Sequence, residues 1–382
     1  MKTTLLHEVN EPDGAEKTFS KVIELINSAK SSIMIHMYVW RSDNIGNAIG
    51  DALCNAADRG IRIQIKKEWS AMMYEWIEMN QKSYLPSKPS KLTKLWWKTI
   101  RPTFPKTFVK NDFISGAGSR LLEKKNVSIE WIKKVKTHQK YYLFDNKHLI
   151  TGSINIEDRH RKYFDYMVHI ESKELSNRFK SRLKGDVEYV KDQDIEFIFN
   201  QPMNNENRFE IKPLIIELIN QAKNDIYIEA AYIGDHDIDE VIIKAANRKV
   251  EVSILISEQA NIGNDNNYRR AEKIMNESSA KIYLSKKMIH SKMLVFDRKI
   301  VMSGSANLSI FSMNNAGELN LLIRNSKLVD DFLKIADWRK SEAIVRTRKR
   351  RPDLMRDRTC LLYTSDAADE RSSVDLGGRR II

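Results

Sequence analysis

Hydrophobic and polar positions along the chain follow the periods of helices and strands, and the first series of these elements lies near the N-terminus. One helix face is formed by the apolar residues Phe19, Val22, Ile23 and Ile26. The apolar run 32–40 has the length and composition of a buried strand. A second helical stretch, 45–59, ends at Gly60, and the alternating positions at 61–65 predict another strand.

The same series returns in the second half of the chain. Its helix face is formed by Leu214, Ile215, Leu218 and Ile219. A strand at 225–232, a helix that ends at Arg248 and a strand at 250–256 follow. Strands that alternate with helices favour an α/β sheet, and a repeated series indicates a repeated unit. The sequence therefore predicts two similar α/β lobes, each a mixed, mostly parallel sheet flanked by helices.

The two lobes differ in length, and this sets the predicted domain limits. From Ala29 to His138 there are 109 residues, whereas the matching distance from Ala222 to His290 is 68. We place the surplus of about 41 residues in an insert at about 69–112, because long additions are found in connections. The predicted domains are a first lobe at 1–199, a second lobe at 200–340 that starts in an Asn- and Pro-containing linker, and a basic C-terminal segment at 341–359.

The final segment, 360–382, differs from the chain that precedes it. It contains no lysine, whereas the rest is rich in Lys and Ile. It resembles the translation of a transposon-type sequencing adapter. We therefore expect an adapter artefact and leave this segment out of fold reasoning. Of the two cysteines, Cys54 is then the native one.

Composition and charge limit the class of protein. Lysine and arginine total 64 and the acidic residues total 51, a net charge of +13. This surplus favours an anionic partner, such as nucleic acid, anionic lipid or a phosphorylated substrate. Apolar runs stay short of the roughly 20 residues of a spanning helix, and Glu8 lies where a secretion signal would be apolar. Two cysteines cannot form a disulfide framework, so we expect a cytoplasmic protein.

The insert at 69–112 combines aromatic and basic residues. It contains four of the seven tryptophans, and 82–110 holds eight basic residues and no acidic one. This composition suits an anionic membrane interface, where rings lie at headgroup depth and lysines meet lipid phosphates. It suits a packing helix with a solvated basic face equally well, and a nucleic-acid surface is a third alternative.

Two segments of the chain match each other in residue type and spacing. The first contains His138, Lys140, Asp145, Gly152, Ser153 and Asn155, and the second contains His290, Lys292, Asp297, Gly304, Ser305 and Asn307. His and Lys are two residues apart, so on a strand they point to the same side. Two imidazoles permit one nucleophile and one general acid, and two lysines neutralise charge on phosphoryl oxygens. The serines and asparagines add donors for the phosphate. These residues predict a phosphodiester site between the lobes; no metal-ligand spacing stands out, and we expect no cofactor.

Further residues support this predicted site. Asp165 follows His138 by 27 residues and Glu318 follows His290 by 28, and a carboxylate that accepts from imidazole Nδ1 fixes the tautomer. Structural roles are expected for the two aspartates that end apolar strands and for the two glycines that permit close backbone approach, namely Asp145, Asp297, Gly152 and Gly304. His36 is interpreted as a packing or site-wall residue on a core strand, whereas His160 shows no pairing pattern.

The motif HxKxxxxDxxxxxxGSxN, present twice, resembles the signature of the phospholipase D superfamily, and the resemblance spans about 19–323. The helix–strand unit with Tyr38, Asp43 and Gly46, and the stretch from Asn307 to Glu318, look most like the bacterial cardiolipin synthase branch. The resemblance implies a phosphohistidine intermediate, with one histidine as nucleophile, for which we favour His138, and the other as acid. It also implies an acceptor that is water or an alcohol, such as the glycerol headgroup of phosphatidylglycerol. Two features depart from that branch: 66–70 reads KKEWS in place of an Asp and a Gly-Ser pair, and we expect its N-terminal membrane helices to be missing here.

Three functions are compatible with these observations. The leading hypothesis is a phosphatidyltransferase or phospholipase acting on a phosphatidylglycerol-like lipid, with peripheral contact at the anionic inner face of the cell membrane. The alternative is a metal-independent nuclease or other nucleic-acid phosphodiesterase of the same superfamily, which the positive charge also suits. The third is a lipid- or nucleic-acid-binding protein without activity, which a lost His or Lys would have favoured.

Overall fold

A computed structural model of the protein describes residues 1–7, 14–77, 83–85, 90–100, 118–202, 207–259 and 264–352. The elements of the first half are β1 (Lys2–Leu6), α1 (Gly14–Ser28), β2 (Ser32–Met37), α2 (Asn44–Asp58), β3 (Arg62–Glu68), α3 (Met72–Ile77), α4 (Lys91–Ile100), α5 (Ser119–Leu122), β4 (Val127–Ile132), β5 (Tyr141–Phe144), β6 (His148–Gly152), a 3-10 helix (Asp158–Lys162), β7 (Met167–Glu171) and α6 (Lys173–Lys184). The elements of the second half are β8 (Ile195–Gln201), β9 (Arg208–Phe209), α7 (Ile211–Gln221), β10 (Asp225–Glu229), α8 (His236–Asn247), β11 (Glu251–Ser257), α9 (Asn264–Glu277), β12 (Lys281–Ser285), β13 (Met293–Phe296), β14 (Ile300–Gly304), α10 (Ile310–Asn314), β15 (Glu318–Ile323) and α11 (Ser326–Arg350).

Two sheets built on the same plan form the lobes. The first has seven strands in the order β1-β7-β6-β5-β2-β3-β4, and the second has eight in the order β12-β11-β10-β13-β14-β15-β8-β9. Read in opposite directions, the two orders correspond, with β8 in the place of β1. Both sheets carry the motif strand in the middle, as β5 or β13. The predicted repeat and the two α/β lobes are confirmed.

The sheets are mixed, as predicted, but the expectation that they are mostly parallel is wrong. In the described strands, parallel pairing is confined to β2-β3-β4 and to β10-β11-β12, and the other pairs are antiparallel. One cause is the turn after each motif strand, which makes β5–β6 and β13–β14 antiparallel hairpins. Asp145 and Asn146 both have φ of 50°, and Asp297 and Arg298 have φ of 49° and 54°. Consecutive residues with positive φ are typical of tight hairpin turns, which reverse the chain into an antiparallel neighbour.

The second sheet begins earlier in the chain than the predicted domain limit at 199/200. Strand β8 pairs with β15 of the second sheet, so that limit falls inside a strand. Asn200 was interpreted as part of a linker, but its buried side chain donates to the carbonyl of Ser312 over 3.0 Å and accepts from the N–H of Ile211 over 3.1 Å. Asn200 therefore has a structural role within the second lobe, which the linker interpretation did not predict. At the other end, α11 runs unbroken through the predicted limit at 340.

Buried contacts hold the two lobes together. Each lobe has its own apolar core, and a further core draws on both, with Tyr141 and Leu149 from the first sheet and Phe197 and Leu321 from the second. Burying a large apolar side chain stabilises a fold by about 1.5–3 kcal/mol. The shared core therefore fixes the position of one sheet relative to the other. Among the described helices, none has both the length and the apolarity to cross a membrane.

Candidate active site

The two motif histidines lie where the lobes meet. Thr137, immediately before His138, forms a parallel bridge with Gly317 of the second lobe, and the residue before His290 forms one with Phe164 of the first. The N–H of His138 donates to the carbonyl of Gly317 over 2.6 Å, and that of His290 donates to Phe164 over 2.9 Å. Each histidine is therefore fixed by main-chain bonds to the opposite lobe.

The imidazole of His138 is held by groups of the second lobe. Its Nδ1 lies 3.0 Å from the carbonyl oxygen of Ser305 and 3.3 Å from Oε2 of Glu318. A carbonyl oxygen can only accept, so Nδ1 carries the hydrogen and Nε2 keeps its lone pair. The ring of Tyr38 packs edge-on against the imidazole, with ring centroids 4.7 Å apart.

His290 shows the reciprocal arrangement. Its Nδ1 donates to Oδ2 of Asp165, a first-lobe residue, over 2.8 Å. The same carboxylate oxygen accepts from Nδ1 of His160 over 3.0 Å. The carboxylates are thus exchanged between the lobes: each one serves the histidine of the other repeat. The sequence spacing left open which histidine each carboxylate would serve.

Burial and charge set the protonation of this cluster. Burial, followed by the neighbouring lysine, lowers the pKa of His138, and the same two causes hold the pKa of His290 well below its ordinary value. Burial alone would raise the pKa of Asp165, but its interactions with His290 and His160 outweigh burial and hold this pKa well below its usual range. The pKa of Glu318 is lowered as well, since His138 and Lys140 outweigh its burial. Both imidazoles are therefore neutral near pH 7, and both carboxylates are ionised.

The two motif lysines are buried beside the histidines. The ammonium group of Lys140 donates to the carbonyl of His138 over 2.6 Å and lies 5.3 Å from the centroid of the Tyr38 ring. Lys292 makes the equivalent bond to the carbonyl of His290. Burial lowers the pKa of Lys140 to about 7 and that of Lys292 to about 8. The charge of Lys292 contributes to the lowered pKa of Lys140, so the two ammonium groups act on one region.

The motif serines contact the carboxylates. The hydroxyl of Ser153 donates to Asp165, and that of Ser305 donates to Oε2 of Glu318 over 2.5 Å. Each hydroxyl has one hydrogen, so in this arrangement the serines orient the carboxylates, a role that the sequence did not suggest. The amide of Asn155 accepts from the N–H of Val39 over 3.3 Å. Contact of a bound phosphate with the serines, with Asn155 and with Asn307 stays a prediction.

The remaining motif residues bond or approach backbone. The carboxylate of Asp145 accepts from the N–H groups of Lys30, Ser31 and Ser32, which lead into β2. Asp297 does the same for 223–225, which lead into β10. These contacts fit the structural role that we expected for both aspartates.

The motif glycines lie where neighbouring strands are closest. A Cβ on Gly304 would lie 2.3 Å from the carbonyl oxygen of Leu319, and one on Gly152 would lie 2.9 Å from that of Tyr166. The strands next to these glycines, β7 beside Gly152 and β15 beside Gly304, can therefore approach closely only because glycine has no side chain.

His160 belongs to this cluster, although the sequence gave no reason to select it. The 3-10 helix at Asp158–Lys162 returns it to the site, where its ring packs edge-on against His290 with centroids 4.6 Å apart. Its Nε2 accepts from the N–H of Asn155 over 3.3 Å. His160, Asp165 and His290 offer ligand atoms within 4.8 Å of one another, a grouping that could hold a metal ion. The second repeat has no histidine between Asn307 and Glu318, so comparing the repeats does not reveal this residue.

Comparisons with known proteins agree with this geometry. The family model described as "Cardiolipin synthase, PLD-like domain" matches residues 22–187 and 215–339. The chain belongs to this family. A cardiolipin synthase of Clostridium perfringens is 24% identical over 352 residues, covering 82% of this chain and 66% of the relative. One of Listeria welshimeri is 26% identical over 339 residues, covering 84% and 67%. The chain thus spans about two thirds of the length of the curated relatives it matches.

Solved structures share the fold. A phosphatidylserine synthase of Haemophilus influenzae superposes with a TM-score of 0.62 at 14% identity, over 88% of this chain and 85% of the other. A polyphosphate kinase of Porphyromonas gingivalis gives 0.55 at 13% identity, over 88% and 46%. At such identities the likeness shows the architecture that phospholipase D-like proteins share with these enzymes.

The segment that departs from the cardiolipin synthase pattern, 66–70, supports the loop before His138. The buried carboxylate of Glu68 accepts from the N–H of Thr137 over 3.3 Å and from the hydroxyl of Ser70 over 2.6 Å. Nε2 of His36 lies 3.4 Å from the Thr137 hydroxyl, so this buried histidine packs against the residue that precedes His138. The unusual residues therefore have a place in the architecture of this family member.

The described part of the insert follows β3 and adds α3 and α4. Buried Glu75 of α3 pairs with Lys67 over 2.8 Å and accepts from the N–H of Trp40 over 2.7 Å, which ties α3 to the first sheet. The residues at 78–82, 86–89 and 101–117 lie outside the described ranges. Beside His138, α3 and α4 enclose a cavity of about 640 Å³. Its walls include Tyr38, Trp69, Met73, Trp96, Trp97 and, from the second lobe, Phe311.

Proposed function

We propose that the chain is a phosphatidyltransferase or phospholipase D-like enzyme that acts on glycerophospholipids through a phosphohistidine. The observation that carries the proposal is the exchanged pair of imidazole–carboxylate contacts, His138 with Glu318 and His290 with Asp165. Such contacts orient an imidazole and stabilise its charged form. Two oriented imidazoles at one seam can divide the roles of nucleophile and acid. Family membership and the cardiolipin synthase names of the relatives favour a phospholipid over other phosphodiesters.

In the first step, Nε2 of His138 attacks phosphorus. The N–P bond forms, the bond from phosphorus to the headgroup oxygen breaks, and protonated His290 gives its proton to that oxygen. The free site holds His290 neutral, so the bound phosphodiester anion and Asp165 together must draw in this proton. The ammonium groups of Lys140 and Lys292 neutralise the charge on the non-bridging oxygens.

In the second step, neutral His290 takes a proton from the acceptor hydroxyl. The new O–P bond forms as the N–P bond breaks, which restores His138. A glycerol hydroxyl of a second phosphatidylglycerol gives cardiolipin, and water gives phosphatidic acid. We further propose that the enzyme works in peripheral contact with the anionic inner face of the cell membrane, where this substrate lies.

The test of the reaction uses the full chain in EDTA with phosphatidylglycerol vesicles and, separately, with single- and double-stranded DNA, and identifies products by mass spectrometry. Cardiolipin with glycerol supports the transferase, and phosphatidic acid supports hydrolysis at the same site. Cut DNA with unchanged lipid would instead favour the nuclease alternative.

The test of the intermediate is the position of the covalent adduct after a rapid acid-free quench. We expect a phosphatidyl group on the peptide that contains His138 in the wild type and none in His138→Ala, whereas His290→Asn, which lacks the acid of the first step, should form this adduct much more slowly. An adduct on His290 would reverse the two roles. Turnover without an adduct on either histidine would indicate direct displacement and overturn the two-step mechanism.

A further inference from the structure

The cavity beside His138 opens next to an exposed apolar surface that the reaction itself does not explain. On α4, Leu92 is 79% exposed, Leu95 61% and Trp96 55%. Across the cavity mouth, Phe311 of α10 is 45% exposed, and its neighbour Ile310 is 46% exposed. A soluble protein rarely exposes several large apolar side chains in one contiguous patch unless the patch contacts a partner.

The opposite face of α4 explains why these side chains point outward. Trp97 is buried and packs against Trp69, with ring centroids 6.5 Å apart. It belongs to a small apolar cluster with Met72, which fixes the rotation of the helix. With Trp97 turned inward, Leu92, Leu95 and Trp96 are left on the outer side, so α4 carries apolar residues on both faces.

The charge around this patch matches an anionic bilayer. Lys91, Lys94 and Lys98 are exposed on α4, and the helix has no acidic residue. On the other side of the mouth, the ammonium group of Lys136 lies 5.3 Å from the centroid of the Phe311 ring. Apolar side chains that enter the acyl boundary, flanked by lysines at the level of the lipid phosphates, are the pattern of a helix that lies in the membrane interface.

We propose that α4 and Phe311 form a lip that enters the bilayer, and that the cavity behind it holds the diacylglycerol part of the phospholipid whose phosphate reaches His138. This inference rests on the proposed function and adds the entry route of its substrate. His138 itself lines the cavity, so the aromatic wall continues from the lip to the nucleophile. The cavity of about 640 Å³ falls within the range of about 300–1,000 Å³ that is usual for ligand sites. A lipid can then pass from bilayer to histidine without exposing its chains to water.

The test compares turnover of phosphatidylglycerol in vesicles with turnover of bis(4-nitrophenyl) phosphate, a soluble phosphodiester without acyl chains. Leu95→Asp places a charge on the lip outside the cavity, and Val345→Asp, at an exposed position of α11, is the matched control. We expect Leu95→Asp to lower the ratio of vesicle turnover to soluble turnover at least tenfold, since a leucine withdrawn from the bilayer forfeits about that factor or more in partitioning. Val345→Asp should change the ratio less than twofold. Equal ratios in Leu95→Asp and the wild type would overturn the proposal.

A second measurement reports the depth of the lip without relying on turnover. Lipids brominated on their acyl chains should quench part of the tryptophan fluorescence of the wild type, and Trp96→Phe should reduce that quenching, while Trp69 and Trp97 in the cavity wall remain open to quenching by a bound lipid. Unchanged quenching in Trp96→Phe would overturn the lip. Quenching through Trp96 in a protein that cuts no lipid would uphold the lip and overturn the proposed function, which separates the two failures.

Discussion

Nδ1 of His138 lies 3.3 Å from Oε2 of Glu318, across 180 residues of chain and from one lobe to the other. The reciprocal contact, from His290 to Asp165, spans 125 residues in the opposite direction. Neither motif histidine therefore finds its carboxylate in its own lobe. The site therefore forms only where the two lobes meet, and the shared apolar core fixes the position of one sheet relative to the other.

The two carboxylates should differ in importance, since their histidines are held differently. In Glu318→Gln the carbonyl of Ser305 still accepts from Nδ1 of His138, so the tautomer is kept, and we expect kcat to fall about 10–100-fold. Asp165→Asn presents an amide that can donate to Nδ1 of His290 and impose the wrong tautomer, for which about a 10⁴-fold loss is known in hydrolase triads. Steady-state kinetics on a soluble phosphodiester would check the order of the two losses. A larger loss in Glu318→Gln would contradict the tautomer argument.

The lowered pKa values of the two buried lysines predict that activity begins to fall at an unusually low pH on the alkaline side of the pH profile. Because burial lowers the pKa of Lys140 to about 7 and that of Lys292 to about 8, the free enzyme loses positive charge as the pH rises through this window. We expect kcat/KM to fall from about pH 7 upward, since this parameter reports the free enzyme. On the acid side, the lowered pKa of His138 keeps the nucleophile neutral below pH 6.5. Lys140→Arg should move the alkaline limb to higher pH, and a profile that is flat from pH 7 to 9 in the wild type would refute this reasoning.

His36 predicts a loss of stability in acid. Burial, with a smaller effect of Lys66, lowers its pKa from 6.5 to about 3, so below pH 6.5 the unfolded chain binds a proton that the folded chain does not. The free energy of unfolding should therefore decrease as the pH falls, by about 2–3 kcal/mol between pH 6.5 and 4.5 from this residue. Urea unfolding at both pH values, in the wild type and in His36→Gln, measures the difference. The same pH dependence in both proteins would show that His36 is not the source.

Two glycines give a matched test of strand approach. In Gly304→Ala the new Cβ would lie 2.3 Å from the backbone oxygen of Leu319, so β14 and β15 must separate and Glu318 must move. We expect Gly304→Ala to lose activity and at least about 3 kcal/mol of stability, comparable with the larger core substitutions. Gly60→Ala meets nothing within 4 Å and bears only the strain of φ at 86°, about 1–2 kcal/mol. Thermal unfolding of both variants measures the two losses of stability. Similar losses would mean that the strands around Gly304 can move apart at little cost in free energy.

The motif residues could be chosen from the sequence because the same side chains recur at the same spacing in two copies. Spacing within one copy, however, carries no information about which lobe a carboxylate faces, and so the exchange of Asp165 and Glu318 was not predictable. His160 was missed for a related reason. It lies on the 3-10 helix between Asn155 and Asp165, and the corresponding stretch of the second copy, between Asn307 and Glu318, contains no histidine. Helix and strand periods located the elements well. They could not show that the turns at Asp145 and Asp297 reverse the chain, so that each motif strand pairs antiparallel with the strand that follows it.

In the insert, too, the sequence predicts the composition of a surface but not the orientation of its side chains. Its tryptophans and lysines are visible in the sequence and suggested an interface, but the composition fits a packing helix equally well. The rotation of α4 is decided by the contact of Trp97 with Trp69, a pair 28 residues apart whose meeting depends on the tertiary fold. Such tertiary contacts distinguish the inward Trp97 from its outward neighbour Trp96.

The exchange of carboxylates also limits how the two halves of such a protein can diverge. Asp165 is one methylene shorter than Glu318. The backbone of each half must therefore place its histidine at the distance that the carboxylate of the other half can span. A hybrid made from the first half of one homologue and the second half of another would bring together side chains that were never fitted to each other. We expect substitutions in the two halves to be correlated, as they are between two separate proteins that depend on each other for activity.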